Sequence, residues 1–289
     1  MSRVLIQCGD NLENSVRVLA LATLLRDAGL SPVVMVYTRP YAPFFEQHGI
    51  EAAPLYPYRL SGPAQAAYRT SFDYDPDDLT TLPARVAALA GARFDRAAAV
   101  AAVRRAMVAV DRLVADRGIE QCVAWNGFTG AVANAMRRFV GLKRGGGFIE
   151  RGLVPGGLIF DPRGANGHAT LARGAADPAD PAVVERHAAA LRRWFPQLDE
   201  PPPPAPQALL APLQVQRDSN VVLHAPLSTM RRFLLEAGRI RDAAFPGWPI
   251  LVRPHPEESP AERLNLPRLE RMTVTPGGSL AGWLGRGAV

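Results

Sequence analysis

Two apolar runs in the last third of this chain each stop at a cluster of polar residues. Residues 208–213 lead into Gln214 and then Asp218-Ser219-Asn220, and residues 249–252 lead into Arg253-Pro254-His255-Pro256-Glu257-Glu258-Ser259. In an α/β protein a buried parallel strand reads as a short, continuous apolar run. Its carboxyl end delivers side chains to the edge of the sheet where ligands bind. Asp218 and His255 are therefore the first candidates for chemistry. Arg253, His255 and Ser259, grouped at one strand end, are cations and donors of the kind that surround a phosphate. Both clusters also have plainer explanations. Asp, Ser and Asn all bond to nearby backbone in turns and caps, and a proline-rich turn can carry a solvent-facing imidazole.

The elements that must position these residues are legible along the chain. Val4–Cys8 reads as a strand broken by Gly9-Asp10-Asn11, residues 12–28 as a helix closed by Gly29, and Pro32–Tyr37 as a second strand. A short helix over 41–48 and a strand over 50–55 complete a βαβαβ start. Residues 56–82 read as an irregular surface loop, and 83–117 as an Ala-rich helical region. Gln121–Trp125 is a strand, followed by Asn126-Gly127, a helix to Phe139, and a strand over 145–149 that delivers Glu150. Ala182–Phe195 is a helix. The run Pro201–Pro204 cannot continue it and reads as a stiff linker, so the domain boundary is placed there. The expected domains are residues 1–200 and 207–289. Beyond the linker come strands over 208–213 and 221–224, a helix over 228–244, strands over 249–252 and 271–274, and the start of a helix at 279–284. The second domain is short, and the expectation is that it is truncated at Val289.

Bulk composition narrows the function classes. A length of 289 residues holds two domains with real cores, and 48% hydrophobic residues at a mean hydropathy of −0.02 fit a globular protein. No apolar run reaches the length of a membrane span, and the first residues read as a strand rather than a signal peptide. Cys8 and Cys122 both fall in apolar strands and are expected to be inert core residues in a reducing, cytoplasmic setting. The net charge of +6 rests almost wholly on arginine, with Lys143 the only lysine. That balance fits phosphates, anionic sugars or an acidic membrane surface. The arginines are scattered and not interleaved with aromatics, which argues against nucleic acid as a partner.

Other chemistries are disfavoured by spacing. Gly9-Asp10-Asn11 has one glycine where a dinucleotide site needs three. Asp73, Asp75, Asp77 and Asp78 alternate like a calcium loop, but Tyr74 and Pro76 interrupt the spacing and no bidentate Glu follows. His168, His187 and His224 show no ligand spacing, so no metal is expected. There is no Gly-x-Ser-x-Gly elbow for a Ser-His-Asp hydrolase.

The order Trp125-Asn126-Gly127, Phe148-Ile149-Glu150-Arg151-Gly152-Leu153-Val154-Pro155, Asp161-Pro162-Arg163-Gly164-Ala165-Asn166-Gly167, Pro212-Leu213-Gln214 with Asp218-Ser219-Asn220, and His255-Pro256-Glu257 resembles the retaining β-Kdo glycosyltransferases of capsular and surface polysaccharide synthesis. The resemblance spans residues 122–258. It implies a GT-B-like α/β enzyme of two Rossmann-type lobes facing a cleft, using CMP-β-Kdo as donor and no metal or other cofactor. It further implies double displacement through a covalent sugar–enzyme intermediate, the chemical way to retain configuration. By that resemblance Asp218 matches the nucleophile and Glu150 an acid/base or acceptor-orienting group. Arg253, His255, Pro256, Glu257, Ser259, Gln214, Ser219 and Asn220 match the donor side. Asn126, Gly127, Arg151, Asp161 and Asn166 would line the acceptor side. The family's donor lobe continues past the His-Pro motif to a Ser/Thr-rich loop, before which this chain stops.

The expected partners are a nucleotide sugar and a glycan or glycolipid acceptor, with peripheral contact at the inner face of the cytoplasmic membrane. Two alternatives stand beside this expectation. One is a GT-B transferase using CMP-sialic acid or a UDP-sugar. The other is a non-catalytic glycan- or nucleotide-binding module.

Overall fold

The computed structural model describes residues 1–9, 11–75, 78–89, 93–127, 130–142, 146–152, 157–165, 169–170, 181–182, 185–186, 189, 193, 208–216, 218, 221–222, 225–227, 229–255 and 265–275. The chain divides into two compact units, Met1–Ala176 and Asp177–Val289. The division falls upstream of the proline run at 201–204, which lies outside the described residues.

Unit 1 is a six-stranded sheet of β1 (Arg3–Gln7), β2 (Ser31–Val36), β3 (Glu51–Pro54), β4 (Gln121–Trp125), β5 (Gly147–Arg151) and β6 (Leu158–Asp161), in the order β3-β2-β1-β4-β5-β6. All neighbours pair in parallel except β5 and β6. This is the Rossmann strand order with an antiparallel last strand. Side chains alternate across the pleat and sort the core into two layers. Val4, Ile6, Val34, Val36, Val123 and Ile149 meet Val18, Ala22 and Phe45 from α1 (Leu12–Asp27) and α2 (Ala42–Glu46). On the other face Leu5, Val33, Met35, Cys122, Ala124 and Phe148 meet residues of α5 (Arg96–Asp116) and α6 (Gly130–Leu142), among them Met107, Val110, Met136 and Phe139. Two further helices, α3 (Gly62–Ala67) and α4 (Thr81–Leu89), lie between β3 and α5 in sequence. Cys8 and Cys122 are buried and not joined in a disulfide.

Local signals explain the boundaries. The Asn11 side chain accepts the Asn14 N–H at 2.8 Å to start α1, and Gly29 at φ 83° ends it. Asp95 caps α5 by accepting from Ala98 N–H at 2.9 Å. The Ala-rich helical region holds two helices, α4 and α5. The stretch 56–82 is more ordered than a surface loop. It holds α3 and two 3-10 turns, and Asp111 anchors its middle from α5.

Unit 2 contains β7 (Leu209–Pro212), β8 (Ile250–Arg253) and β9 (Met272–Val274), all parallel in the order β7-β8-β9. Helix α7 (Met230–Ala244) connects the first two strands. Its Leu234 packs with Ala211, Leu213, Ile250 and Val252 in the core. Of the strand expected over 221–224, the described residues Val221 and Val222 are not in a strand, and the other two lie outside the described residues. Val221 and Val222 are buried in a helical turn, where the Val222 N–H donates to the Asp218 carbonyl at 2.9 Å. Positions 181–182, 185–186, 189 and 193 are helical, as expected for 182–195. The helix expected from residue 279 lies outside the described residues. No helix among the described residues is long and apolar enough to cross a membrane.

Candidate functional site

In unit 1 the strand order reverses between β1 and β4. Connections leaving neighbouring strands at such a point part to opposite faces and open a crevice at the carboxyl edge, the usual ligand position of an open α/β sheet. Asn126 and Gly127 stand there because they follow β4 directly. Both adopt the left-handed region, at φ 58° and 86°, which turns the chain sharply off the strand. The Asn126 N–H donates to the Ile149 carbonyl at 2.9 Å, and its side-chain Nδ2 donates to Glu150 Oε2 at 2.6 Å. Glu150 Oε1 accepts the Arg151 N–H at 2.9 Å. Glu150 is thus oriented by amide donors and not by the Arg151 guanidinium, which instead lies 3.5 Å from Glu13 in the first turn of α1. Glu13 also pairs with Arg17 at 2.8 Å. That hydrogen bond, with the charges of Arg151 and Arg17, holds the Glu13 carboxyl below the usual carboxylate range.

Two residues of this crevice escaped the sequence reading. Gln7, 2% exposed at the end of β1, donates from Nε2 to the Tyr37 hydroxyl at 2.6 Å, and its Oε1 accepts the Trp125 N–H at 3.1 Å. One amide therefore ties together the carboxyl ends of β2, β1 and β4. Asn14 in the first turn of α1 is 7% exposed, and its Oδ1 has no hydrogen-bond partner among the described residues. A buried acceptor left unmatched is costly, so Asn14 Oδ1 suits a ligand hydroxyl or N–H. The signal in the sequence was a glutamine inside an otherwise apolar strand and an asparagine on the inner face of a helix.

Asp161 closes β6 and organises the loop beyond it. Its carboxylate accepts the N–H groups of Arg163, Gly164 and Thr170 and the Thr170 hydroxyl, at 2.8, 3.2, 2.7 and 3.1 Å. Burial acts to raise its pKa, but these donors outweigh burial and leave it lowered. Asn166 lies outside the described residues.

In unit 2, Asp218 and His255 follow adjacent parallel strands. Pro212 and Arg253 are register partners, and the Leu213 N–H donates to the Arg253 carbonyl at 2.9 Å, so the two chains run side by side until they leave the sheet. Asp218 sits in a tight turn, its N–H donating to the Val215 carbonyl at 2.9 Å, and is half-buried. Arg253 and His255 are also half-buried, while Gln214 is exposed with its N–H on Met230 Sδ at 3.4 Å. Gln216 takes a role not foreseen for it, accepting the Met230 N–H at 3.1 Å at the start of α7. The α7 amino terminus, with Thr229 as its cap, therefore lies beside the loop that carries Asp218. Ser219, Asn220, Pro256, Glu257 and Ser259 lie outside the described residues. Among the described residues no three His, Cys, Asp or Glu side chains group as metal ligands would.

No family model matches the chain, and no curated protein matches it. Solved structures give distant likenesses. The calicheamicin glycosyltransferase CalG4 is 14% identical at a TM-score of 0.32, covering 95% of this chain and 70% of that one. A glycosyltransferase from Rickettsia africae ESF-5 is 8% identical at 0.33, covering 98% and 70%. S. aureus MnaA with UDP is 11% identical at 0.32, covering 99% and 71%. At these scores the likenesses add nothing to what the strand order already shows.

Proposed function

We propose that this chain is a glycosyltransferase that moves Kdo from CMP-β-Kdo to a surface-polysaccharide or glycolipid acceptor with retention of configuration. The observation that carries the reading is the placement of Asp218 and His255 on loops leaving the carboxyl ends of two adjacent, hydrogen-bonded parallel strands. The resemblance across residues 122–258 supplies their roles. Asp218 attacks the anomeric carbon, the bond to the CMP phosphate breaks, and CMP leaves with the electron pair. His255 and the α7 amino terminus stabilise that phosphate. In the second inversion an acceptor hydroxyl attacks the same carbon, the bond to Asp218 breaks, and Glu150 takes the hydroxyl proton. Unit 1 receives the acceptor, with Asn126 orienting Glu150 and Asn14 Oδ1 taking a second acceptor hydroxyl. The net charge of +6 supports peripheral contact with anionic lipid at the cytoplasmic face of the membrane.

The test is intact-mass analysis of the protein mixed with CMP-Kdo. A sugar adduct on the native protein that is lost in Asp218→Ala supports the assignment. Neither adduct nor transfer from correctly folded protein overturns it.

A second reading differs in the donor. Arg253 beside His255 offers a further cation at the same strand end, which suits the second phosphate of a UDP-sugar. Competition between CMP and UDP for the protein separates the two donors. Binding of UDP at least about tenfold tighter than CMP favours the diphosphate.

A further inference from the structure

Unit 1 carries a hollow of 940 Å³ lined by none of the residues assigned to transfer. One wall is the strap over residues 62–74, and the other is the first half of α5. The strap follows β3, and the far end of α5 leads into the start of β4, so the hollow lies toward the carboxyl edge of the sheet.

The strap is fixed in place. Asp111, only 3% exposed on α5, accepts the Tyr68 hydroxyl at 3.0 Å, the Ser71 N–H at 3.0 Å and the Ser71 hydroxyl at 2.5 Å. Phe72 meets Phe139 edge to face at 4.9 Å between centroids, and Arg138 donates to the Asp73 carbonyl at 3.1 Å. The hollow is therefore preformed, as small-molecule sites usually are.

Its charge is unbalanced. Arg69, Arg104 and Arg105 all line it, and none of them forms an ion pair among the described residues. By contrast, Arg3 and Arg117 of the same unit bracket Glu51 at 2.6 and 2.9 Å. Burial raises the Tyr74 pKa while the Arg104 charge acts to lower it, which places that guanidinium within electrostatic reach of the phenol. Arg105 also lines an adjoining hollow of 250 Å³ with Arg59. Guanidinium groups bind carboxylate and phosphate through paired N–H donors, and Ala97, Val100 and Ala101 add apolar lining beside them. The side chains of Gln65 and Asp73 on the rim are suited to ligand hydroxyls.

We propose that this hollow binds an anionic, sugar-sized ligand, with Arg69, Arg104 and Arg105 holding its carboxylate or phosphate and Gln65 and Asp73 its hydroxyls. The proposal needs neither Asp218 nor His255 and stands apart from the transfer reading.

The test is calorimetric titration at low salt with glucuronate, glucose 1-phosphate, glucose and inorganic phosphate. Glucuronate or glucose 1-phosphate is expected to bind at least about tenfold tighter than both glucose and inorganic phosphate. Whichever of the two leads identifies the anion as carboxylate or phosphate. Arg104→Glu and Arg69→Glu, both at exposed positions and expected to leave circular dichroism unchanged, are each expected to weaken that ligand at least about tenfold. Arg239→Glu on α7 and Asp218→Ala are expected to leave it unaltered. Binding of glucose or inorganic phosphate as tight as that of the anionic sugars overturns the proposal, as does undiminished binding by both arginine variants.

Discussion

The Nδ2 amide of Asn126 donates to Glu150 Oε2 at 2.6 Å, joining the residue that follows β4 to the end of β5. The contact depends on an unusual backbone, since Asn126 holds φ 58° while its own N–H is bonded to the Ile149 carbonyl. Asparagine is among the few residues with a side chain that tolerate this region. The sequence therefore needs Asn at 126 twice, once for the turn and once for the carboxylate.

Asn126→Gly and Asn126→Ala separate those two needs. Glycine keeps the backbone and removes the side-chain partner of Glu150. Alanine adds a left-handed strain of about 1–2 kcal/mol. Urea denaturation is expected to find the alanine variant less stable than the glycine variant by about that amount, while the proposed transfer slows in both.

Gly127→Ala is expected to destabilise unit 1 by about 2–4 kcal/mol, from backbone strain and overpacking together. A methyl there would lie 2.8 Å from Phe148 Cε1, at φ 86°. Combining it with Phe148→Leu should recover part of the loss, because the steric share is relieved and the backbone share is not. Thermal unfolding of the single and double variants measures this.

Asp161 makes stability depend on pH in a defined direction. Its folded pKa is lowered, burial being outweighed by the bonds from Arg163, Thr170 and Gly164. The stabilisation it provides is present above the ordinary carboxylate value and disappears as pH falls through the folded value. Asp161→Asn is expected to lower the urea midpoint at pH 7, by about 1–2 kcal/mol in stability, with the gap to native protein closing in acid.

Asp111→Ala leaves the Tyr68 hydroxyl and both Ser71 donors without their buried acceptor. The strap should loosen, and trypsin should cut after Arg69 faster than in the native protein while the rest of unit 1 stays protected. A cleavage rate equal to that of the native protein would refute the anchoring role.

The strands of both parallel sheets were legible because strands buried on two faces are almost continuously apolar. β1, β2, β4, β7 and β8 all follow that pattern. β6 was missed, since it is an antiparallel edge strand with Ile159 and Phe160 exposed, and an exposed edge imposes no such run. Val221-Val222 misled in the opposite sense. An apolar pair is compatible with a strand or a buried turn, and the hydrogen bond from Val222 to Asp218 selects the turn.

By itself the sequence determined the α/β class, the Rossmann-like beginning, and the strand ends at which Asn126, Glu150, Asp218 and His255 stand. Those depend on short-range patterning, which a single chain displays directly. Only the tertiary structure decided the reversal of strand order between β1 and β4, the tie made by Gln7 across three strands, and the Asp111 anchor beneath an arginine-lined hollow. Each of these joins residues 30 or more positions apart, as Gln7 and Tyr37 are and as Ser71 and Asp111 are at 40. A hydrogen bond over such a separation leaves no periodicity to read, because folding alone brings its two partners together.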